Sequence, residues 1–427
     1  MKVLVAGAGI IGRAVAWRLA QRGAQVTIVD PDRSAAAAMV AAGMLAPVTE
    51  ARYGEEALLG LNLESARRWP MFAAELAKEV GVDPGFVACG TLAVARDADD
   101  RAELDRLAVY LGEFGLDAER LSGRAIRRRE PALAASVRGG LWVPGDHQVN
   151  PRRVLDVLAL AAEKRGVEEI PAGVVAVGPD AVGLDNRREL SADAVVVCAG
   201  WASGGLLLGL PVRPVKGQVL RFGPTARSVM PSHVLRGLDV YLVTRSDGEV
   251  VVGATTEDVG PDTTVTVGAV RRLLDEAWRL VPGFDEAPLV EISAGLRPDT
   301  PDGAPILDTT AAGVHVATGH NRNGVLFGSG HRRCRRRRGV RFGLAVRGVT
   351  VPARSLREQS VIAVRVNGES VELSDGSSLA GLVESHVCQT RGVAIAVNEE
   401  VIPRSAWAAT SLAEGDRIEI LTARQGG

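Results

Sequence analysis

Residues 2–6 (KVLVA) form an apolar run that enters Gly7-Ala8-Gly9-Ile10-Ile11-Gly12, after which Ala14, Val15, Leu19 and Ala20 recur at helical spacing. Residues 25–29 (QVTIV) then read as a second strand that ends at Asp30. Strand, glycine turn, helix, strand and acid in this order predict a βαβ unit built for a dinucleotide. In such a unit Gly7 permits the tight turn and Gly9 lets backbone N–H groups approach a pyrophosphate at the helix N-terminus. Gly12 lets the helix pack close to the strand, and Asp30 accepts hydrogen bonds from ribose hydroxyls.

Further on, charged helical patterns at 54–80 and 97–115 flank a β-like segment at 86–96, and Asn150-Pro151-Arg152 opens a helix to residue 165. Strand-like runs at 172–177 and 194–198 lead into Ala199-Gly200-Trp201, and β patterns return at 218–222, 240–244 and 249–254, followed by a helix over 267–280. Residues 291–305 read as a strand with a loop, 313–318 as a strand and 319–324 as a loop. Beyond residue 360 the pattern resets: strands at 361–366, 370–373, 394–397 and 417–421 and a helix near 379–386 describe a small β-rich module. The longest uncharged stretch, 194–212, is broken by Gly200, Gly204, Gly205, Gly209 and Pro211, so no membrane span is expected.

A chain of 427 residues with 46% hydrophobic and 24% charged residues is long enough for two or three cored domains, which excludes a disordered or collagen-like protein. Cys89, Cys198, Cys334 and Cys388 lie far apart without metal-ligand spacing, so neither a disulfide framework nor a metal site is expected. A reducing, cytoplasmic setting without a signal peptide fits these features. The formal charge of −1 hides an asymmetry: residues 327–357 hold ten Arg and no Asp, Glu or Lys, so the rest of the chain balances 40 basic against 51 acidic residues. No aromatic platform accompanies this run, so nucleic acid is not an expected partner.

Several blocks, in order, resemble the D-amino-acid oxidase superfamily of FAD enzymes, and most closely the glycine oxidases of thiamine biosynthesis. These are the N-terminal GAGIIG, Ala41-Ala42-Gly43-Met44-Leu45-Ala46-Pro47, the AVVVCAGWAS run from Ala194, Val215-Lys216-Gly217-Gln218, Tyr241, Gly295-Leu296-Arg297-Pro298, and Gly319-His320-Asn321-Arg322-Asn323-Gly324-Val325-Leu326. The resemblance covers 1–326. It implies a Rossmann-like FAD-binding domain (about 1–85, 145–212 and 295–326) and a mixed-sheet substrate domain (about 86–144 and 213–294), an α/β and α+β architecture.

It also implies site roles. Arg297 grips an amino-acid carboxylate, Tyr241 adds a hydroxyl to the same group, and Arg322 lies near substrate and flavin. Gly7, Gly9, Ile10, Ile11, Gly12, Asp30, Ala42, Gly43, Met44, Val174, Gly200 and the run from His320 to Leu326 hold FAD, with the N–H groups of Asn323 and Gly324 meeting the flavin's pyrimidine edge. Small residues at 41–43 suit a chain passing close to a flat ring. Asp239 stands where some relatives have His. The implied reaction is hydride transfer from the Cα of glycine, or of a similar small amino acid such as sarcosine or a D-amino acid, with O2 as final acceptor and H2O2 as product. No general base is nominated, and His147, His233 and His315 are expected to pack or bond locally.

Residues 361–427 resemble the small sulfur-carrier proteins of thiamine biosynthesis, with a ubiquitin-like β-grasp fold. The resemblance rests on Val366-Asn367-Gly368, the run from Ala394 to Asn398, Val401-Ile402-Pro403-Arg404, Trp407, Glu414-Gly415-Asp416 and the terminal Gly426-Gly427. It implies a thiocarboxylate on Gly427, with an adenylating activating enzyme and a thiazole synthase as partners. The glycines leave a tail slim enough for a narrow channel. Homo-oligomerisation stays open. Two other classes also stay open: a nicotinamide-dependent dehydrogenase, which shares GAGIIG and Asp30 but leaves GLRP unexplained, and a carrier with an inactive oxidase scaffold. Residues 327–360 replace the apolar helix with which the oxidase family continues. They read either as a basic linker or as an out-of-frame stretch between two compensating shifts.

Overall fold

The computed structural model describes residues 1–329 except Ser228 and, in the C-terminal part, 361–374, 378–379, 382–383, 393–398, 400–403, 406–407 and 410–422. The chain divides into two compact units, Met1–Val351 and Pro352–Gly427. The segment 330–360 and the terminal Gly426 and Gly427 lie outside the described residues.

The first unit is organised by two large sheets. One has six strands in the order Ile306–Thr309, His315–Thr318, Ala194–Val197, Lys2–Ala6, Gln25–Val29 and Glu168–Ile170. Its inner strands run parallel, with Val3 opposite Ala194 and Val26. Helices cover one face, over Val3, Val5, Val26 and Ile28, and a three-stranded antiparallel sheet of Val174–Val177, Ala181–Leu184 and Glu189–Ser191 covers the other, over Leu4, Val29 and Val195, so the inner strands are almost wholly apolar rather than alternating. Helix Ile10–Ala20 packs Trp17, which is fully buried, against Phe72 of helix Glu56–Val80 at 5.9 Å between ring centroids. Trp69 of that long helix donates through Nε1 to the carbonyl of Leu326 at 2.8 Å. The stretch expected as a loop, 319–324, is wound into a turn at Asn321–Asn323 and the short helix Gly324–Phe327.

The second sheet has eight strands: Leu289–Asp299, Arg213–Phe222, Val250–Gly253, Tyr241–Thr244, Val234–Arg236, Thr91–Ala95, Gly139–Val143 and Glu119–Ser122. All its pairings are antiparallel except that of Val234–Arg236 with Thr91–Ala95. Helix Val267–Leu280 covers one face through Leu273, Ala277 and Leu280, and Thr266 caps it from its side chain. The strand-with-loop expected at 291–305 is the strand Leu289–Asp299 followed by a loop over 300–305, and the strand runs through the Arg297-Pro298 pair, with Pro298 opposite Pro214. An edge strand tolerates this because one row of its N–H groups faces away from the ladder.

In the second unit five strands run in the order Glu369–Ser374, Val361–Val366, Arg417–Thr422, Val393–Val397 and Glu400–Val401. The first and last long strands are parallel neighbours, Val366 beside Ile418, as a β-grasp requires. Asn367 (φ 50°) and Gly368 (φ 91°) make the hairpin turn, because both central positions need positive φ. Asn367 also accepts from the Ile420 N–H at 2.8 Å, which ties the turn to the last strand. Val364, Val366, Leu382, Ile395, Trp407 and Ile418 belong to its core.

Asp146 sits fully buried beneath the segment that leads to Glu50, accepting from the N–H groups of Val48 (3.0 Å) and Thr49 (2.7 Å) and from the Thr49 hydroxyl (2.7 Å). Burial pushes its carboxyl up to about 6 despite these donors. The folded state therefore holds a proton that the unfolded chain loses near pH 4, and this contribution disappears as pH rises to about 6. The stability of the wild type relative to Asp146→Asn is expected to fall by up to about 3 kcal/mol between pH 4 and pH 7. Urea unfolding at several pH values checks this, and a constant difference would contradict it.

Candidate active site

One cavity of about 930 Å³ is walled by both sheets of the first unit. That volume is at the upper end of the roughly 300–1,000 Å³ typical of ligand pockets. The glycine turn provides one wall. A Cβ on Gly7 (φ 110°) would lie 2.5 Å from the Cys198 carbonyl oxygen, and one on Gly12 would lie 1.9 Å from that of Gly7, so neither position admits a side chain. A Cβ on Gly9 would meet nothing within 4 Å, which leaves open space over the start of helix Ile10–Ala20. That helix has no side-chain cap and no acid in its first turn, so its leading N–H groups suit an anion. Asp30 accepts from the N–H of Ala8 at 2.6 Å and of Asp32 at 2.9 Å. A carboxylate holding two donors still has lone pairs for ribose hydroxyls.

Val40, Ala41 and Ala42 form another part of the wall, and the carbonyls of 39–42 are held by arginines. Arg152 Nε donates to the Met39 carbonyl at 2.7 Å. Arg221, 1% exposed, donates to those of Met39, Val40 and Ala41 at 3.2–3.4 Å. Arg245, 6% exposed, donates to those of Ala42 and, at 2.8 Å, Val149. Burial lowers Arg245 to about 10, still charged at neutral pH. Glu291 pairs with Arg152, and Glu249 pairs with Arg221. Glycine at 43 is demanded by the backbone itself rather than by a flat ring beside it. Gly43 borders the cavity, but a Cβ on it would strike the Val149 carbonyl (2.1 Å) and Pro151, and its φ is 77°.

At the other end stand Arg297 and Tyr241, each lying over a glycine of a neighbouring strand. A Cβ on Gly217 would come within 2.5 Å of the Arg297 guanidinium, and one on Gly253 within 2.4 Å of the Tyr241 hydroxyl. Arg297 Nη1 donates to the carbonyls of Thr255 (3.1 Å) and Lys216 (3.3 Å), while Nε and Nη2 have no partner among the described residues. Burial pushes the Tyr241 phenol up, so it stays protonated. Arg322 pairs with Glu55, and Glu50, Arg52, Arg236 and Asp239 border the same cavity. His320 is 3% exposed, and burial lowers it to about 3, so it is neutral; its Nε2 has no partner among the described residues.

Of the residues nominated from sequence, Gly7, Gly9, Ile10, Ile11, Asp30, Ala42, Gly43, Met44, Val174, Gly200, Tyr241, Arg297, His320, Asn321, Arg322, Gly324 and Val325 border this cavity. Gly12, Asn323 and Leu326 stand behind it: Gly12 packs on Gly7, Asn323 is buried, and the Leu326 carbonyl is held by Trp69. The Asn323 N–H, expected at the flavin edge, donates instead to the His320 carbonyl at 2.9 Å. His233 bonds Glu130 at 2.9 Å and His315 bonds Thr309 at 2.9 Å, while His147 packs edge-on against Phe86. Sequence reasoning missed the three arginines of the 39–42 stretch and the purpose of Gly217 and Gly253. A glycine inside a strand was the available signal for the latter. Among the described residues no cluster of His, Cys, Asp or Glu suits a metal, and no helix is long and apolar enough to cross a membrane.

Residues 2–331 match the FAD dependent oxidoreductase family. The chain belongs to that family. Residues 364–427 match the ThiS family, so the interval 332–363, which includes all ten arginines of the basic run, belongs to neither match. The oxidoreductase is 38% identical over 335 residues to the bifunctional protein ThiO/ThiG of Trichormus variabilis, covering 76% of this chain and 50% of that one. It thus spans about half the length of this relative. It is 32% identical over 338 residues to the glycine oxidase of Geobacillus kaustophilus, covering 76% of this chain and 89% of the relative. The crystal structure of glycine oxidase from that organism matches with a TM-score of 0.72 at 30% identity over 77% of this chain and 91% of the other.

FAD fits the oxidoreductase on its own geometry: the space over Gly9, the open helix start, the acid at 30 and the unpartnered buried Nε2 of His320 suit a dinucleotide. Removing the Arg245 guanidinium should loosen the 39–42 wall. Arg245→Met is expected to weaken FAD binding on the order of tenfold, the worth of one or two charged hydrogen bonds. Flavin fluorescence titration of the apoprotein measures this, and unchanged affinity would contradict the role.

Proposed function

We propose that the first unit oxidises glycine to its imine and that the second carries sulfur as a thiocarboxylate on Gly427, both as inputs to the thiazole ring of thiamine. The observation that carries the oxidase reading is the convergence of Arg297, Tyr241 and the dinucleotide wall on one cavity. The 32% identity to a glycine oxidase across 89% of that relative supports it, and the ThiS-family match through residue 427 supports the carrier.

Bound FAD supplies a two-electron acceptor for the hydride of the substrate Cα. The protein's own task is orientation. The free Nε and Nη2 donors of Arg297 meet a carboxylate with two parallel hydrogen bonds, and the protonated Tyr241 hydroxyl adds a third. Anchored at its carboxylate, an α-amino acid has its Cα–H limited to few orientations, which lowers the entropic part of the barrier. Arg322 is neutralised by Glu55 and so does not compete strongly with Arg297 for the same anion. The neutral His320 adds no charge that would oppose hydride departure. No side chain is needed as a base if the amine reacts in its neutral form. A cytoplasmic setting, an adenylating enzyme and a thiazole synthase complete the reading.

The test is glycine-dependent H2O2 formation by the FAD-loaded protein. Arg297→Lys, which loses the two-pronged grip, is expected to raise the KM for glycine roughly a hundredfold. Gly217→Ala pushes only the flexible end of Arg297 and is expected to raise KM about tenfold with FAD binding retained. A wild-type protein without glycine-dependent H2O2, or a KM indifferent to Arg297, would overturn the oxidase reading.

A further inference from the structure

The Val215-Lys216-Gly217-Gln218 block does more than leave the gap at Gly217. Its two polar side chains, Lys216 and Gln218, are 2% and 0% exposed, and both point into a network built on the segment after Gly253. Lys216 Nζ donates to Asp262 at 2.7 Å and lies 3.5 Å from Glu257. Gln218 Nε2 donates to Glu257 Oε1 at 2.8 Å, and its Oε1 accepts from the N–H of Thr266 at 2.9 Å. The Thr255 hydroxyl donates to the same Glu257 oxygen at 2.5 Å and accepts from the Gln218 N–H at 2.9 Å. Backbone bonds between Lys216 and Glu257, 2.9 and 3.0 Å, lock the two segments together.

This network ends at the substrate anchor. Arg297 Nη1 is held by two carbonyls, those of Lys216 and Thr255, which belong to the two locked segments. Nothing else among the described residues bonds the Arg297 guanidinium. A guanidinium on a long side chain loses much rotamer freedom when fixed, so a pre-placed pair of acceptors decides how much of that loss is met before substrate arrives.

We propose that Glu257, through Thr255 and together with Lys216, is a positioning residue that presets the Arg297 guanidinium for the substrate carboxylate. The proposal rests on the reading of Arg297 as that anchor. Glu257 touches neither substrate nor cofactor and acts by holding the Thr255 carbonyl in place. The network contributes to ground-state and transition-state binding of the carboxylate alike, so its loss shows in KM and leaves kcat nearly unchanged.

The experiment uses the full-length FAD-loaded protein with Thr255→Val, Glu257→Gln, Glu257→Asp and Arg297→Lys. Acetate serves as a carboxylate probe, followed by its perturbation of the flavin absorbance, beside KM and kcat for glycine. Thr255→Val removes only the hydroxyl from an isosteric side chain, which guards against a misfolded Glu257 variant. Thr255→Val and Glu257→Gln are expected to raise both the acetate Kd and the glycine KM about five- to tenfold, with kcat within twofold and the FAD affinity of Thr255→Val unchanged. Glu257→Asp, which keeps the charge, should recover part of the loss. Wild-type values in Thr255→Val and Glu257→Gln, with Arg297→Lys impaired, would overturn the network alone. An acetate affinity insensitive to Arg297→Lys would overturn the anchor and the network with it.

Discussion

The site depends on a backbone stretch held open from behind. Four successive carbonyls, Met39 to Ala42, point away from the cavity into the guanidinium groups of Arg152, Arg221 and Arg245. Carbonyls buried without donors would each cost a few kcal/mol, so some set of donors is obligatory where the short helix Ala37–Val40 ends and its last carbonyls lose their partners. Arginine serves because one planar fork reaches several acceptors, and Glu249 and Glu291 offset the charge. The clamp joins the two sheets: Arg221 and Arg245 come from the eight-stranded sheet region, while the carbonyls lie on the stretch that follows the dinucleotide unit.

The same logic recurs at the substrate end with glycine in place of arginine. Gly217 and Gly253 clear two hollows in adjoining strands, and Arg297 and Tyr241 lie in them. The strand pairing brings these positions together: Gly253 pairs with Val219 on one side and Tyr241 on the other, and Gly217 pairs with Gly295, two residues before Arg297. A fold built from antiparallel register thus aims two side chains at one place with little freedom left. The dinucleotide wall is built by the other sheet, so the reaction centre lies where the two sheets face one cavity.

What was legible in the sequence was mostly local. The βαβ unit shows because its strand, turn and helix lie within one short stretch, and the helix opened by Asn150 shows for the same reason. The outer strands Glu119–Ser122 and Gly139–Val143 do not, because they are short or begin with glycines and acquire strand character only from distant partners. Arg297 lies inside a strand although Pro298 follows it, because the edge position of that strand accommodates the proline. The arginine clamp was invisible, since an isolated arginine reads as a solvated charge until its acceptors are known. The family blocks located most of the cavity wall, but not why Gly43 is glycine or where the Asn323 N–H goes.

The central claim is that the carboxylate anchor and the flavin share one cavity in working order. The direct measurement is the flavin absorbance of the FAD-loaded protein mixed with glycine in the absence of oxygen. Bleaching of the long-wavelength band at one glycine per flavin, restored on admitting air, is the result this account predicts. A flavin that stays oxidised in excess glycine would contradict it.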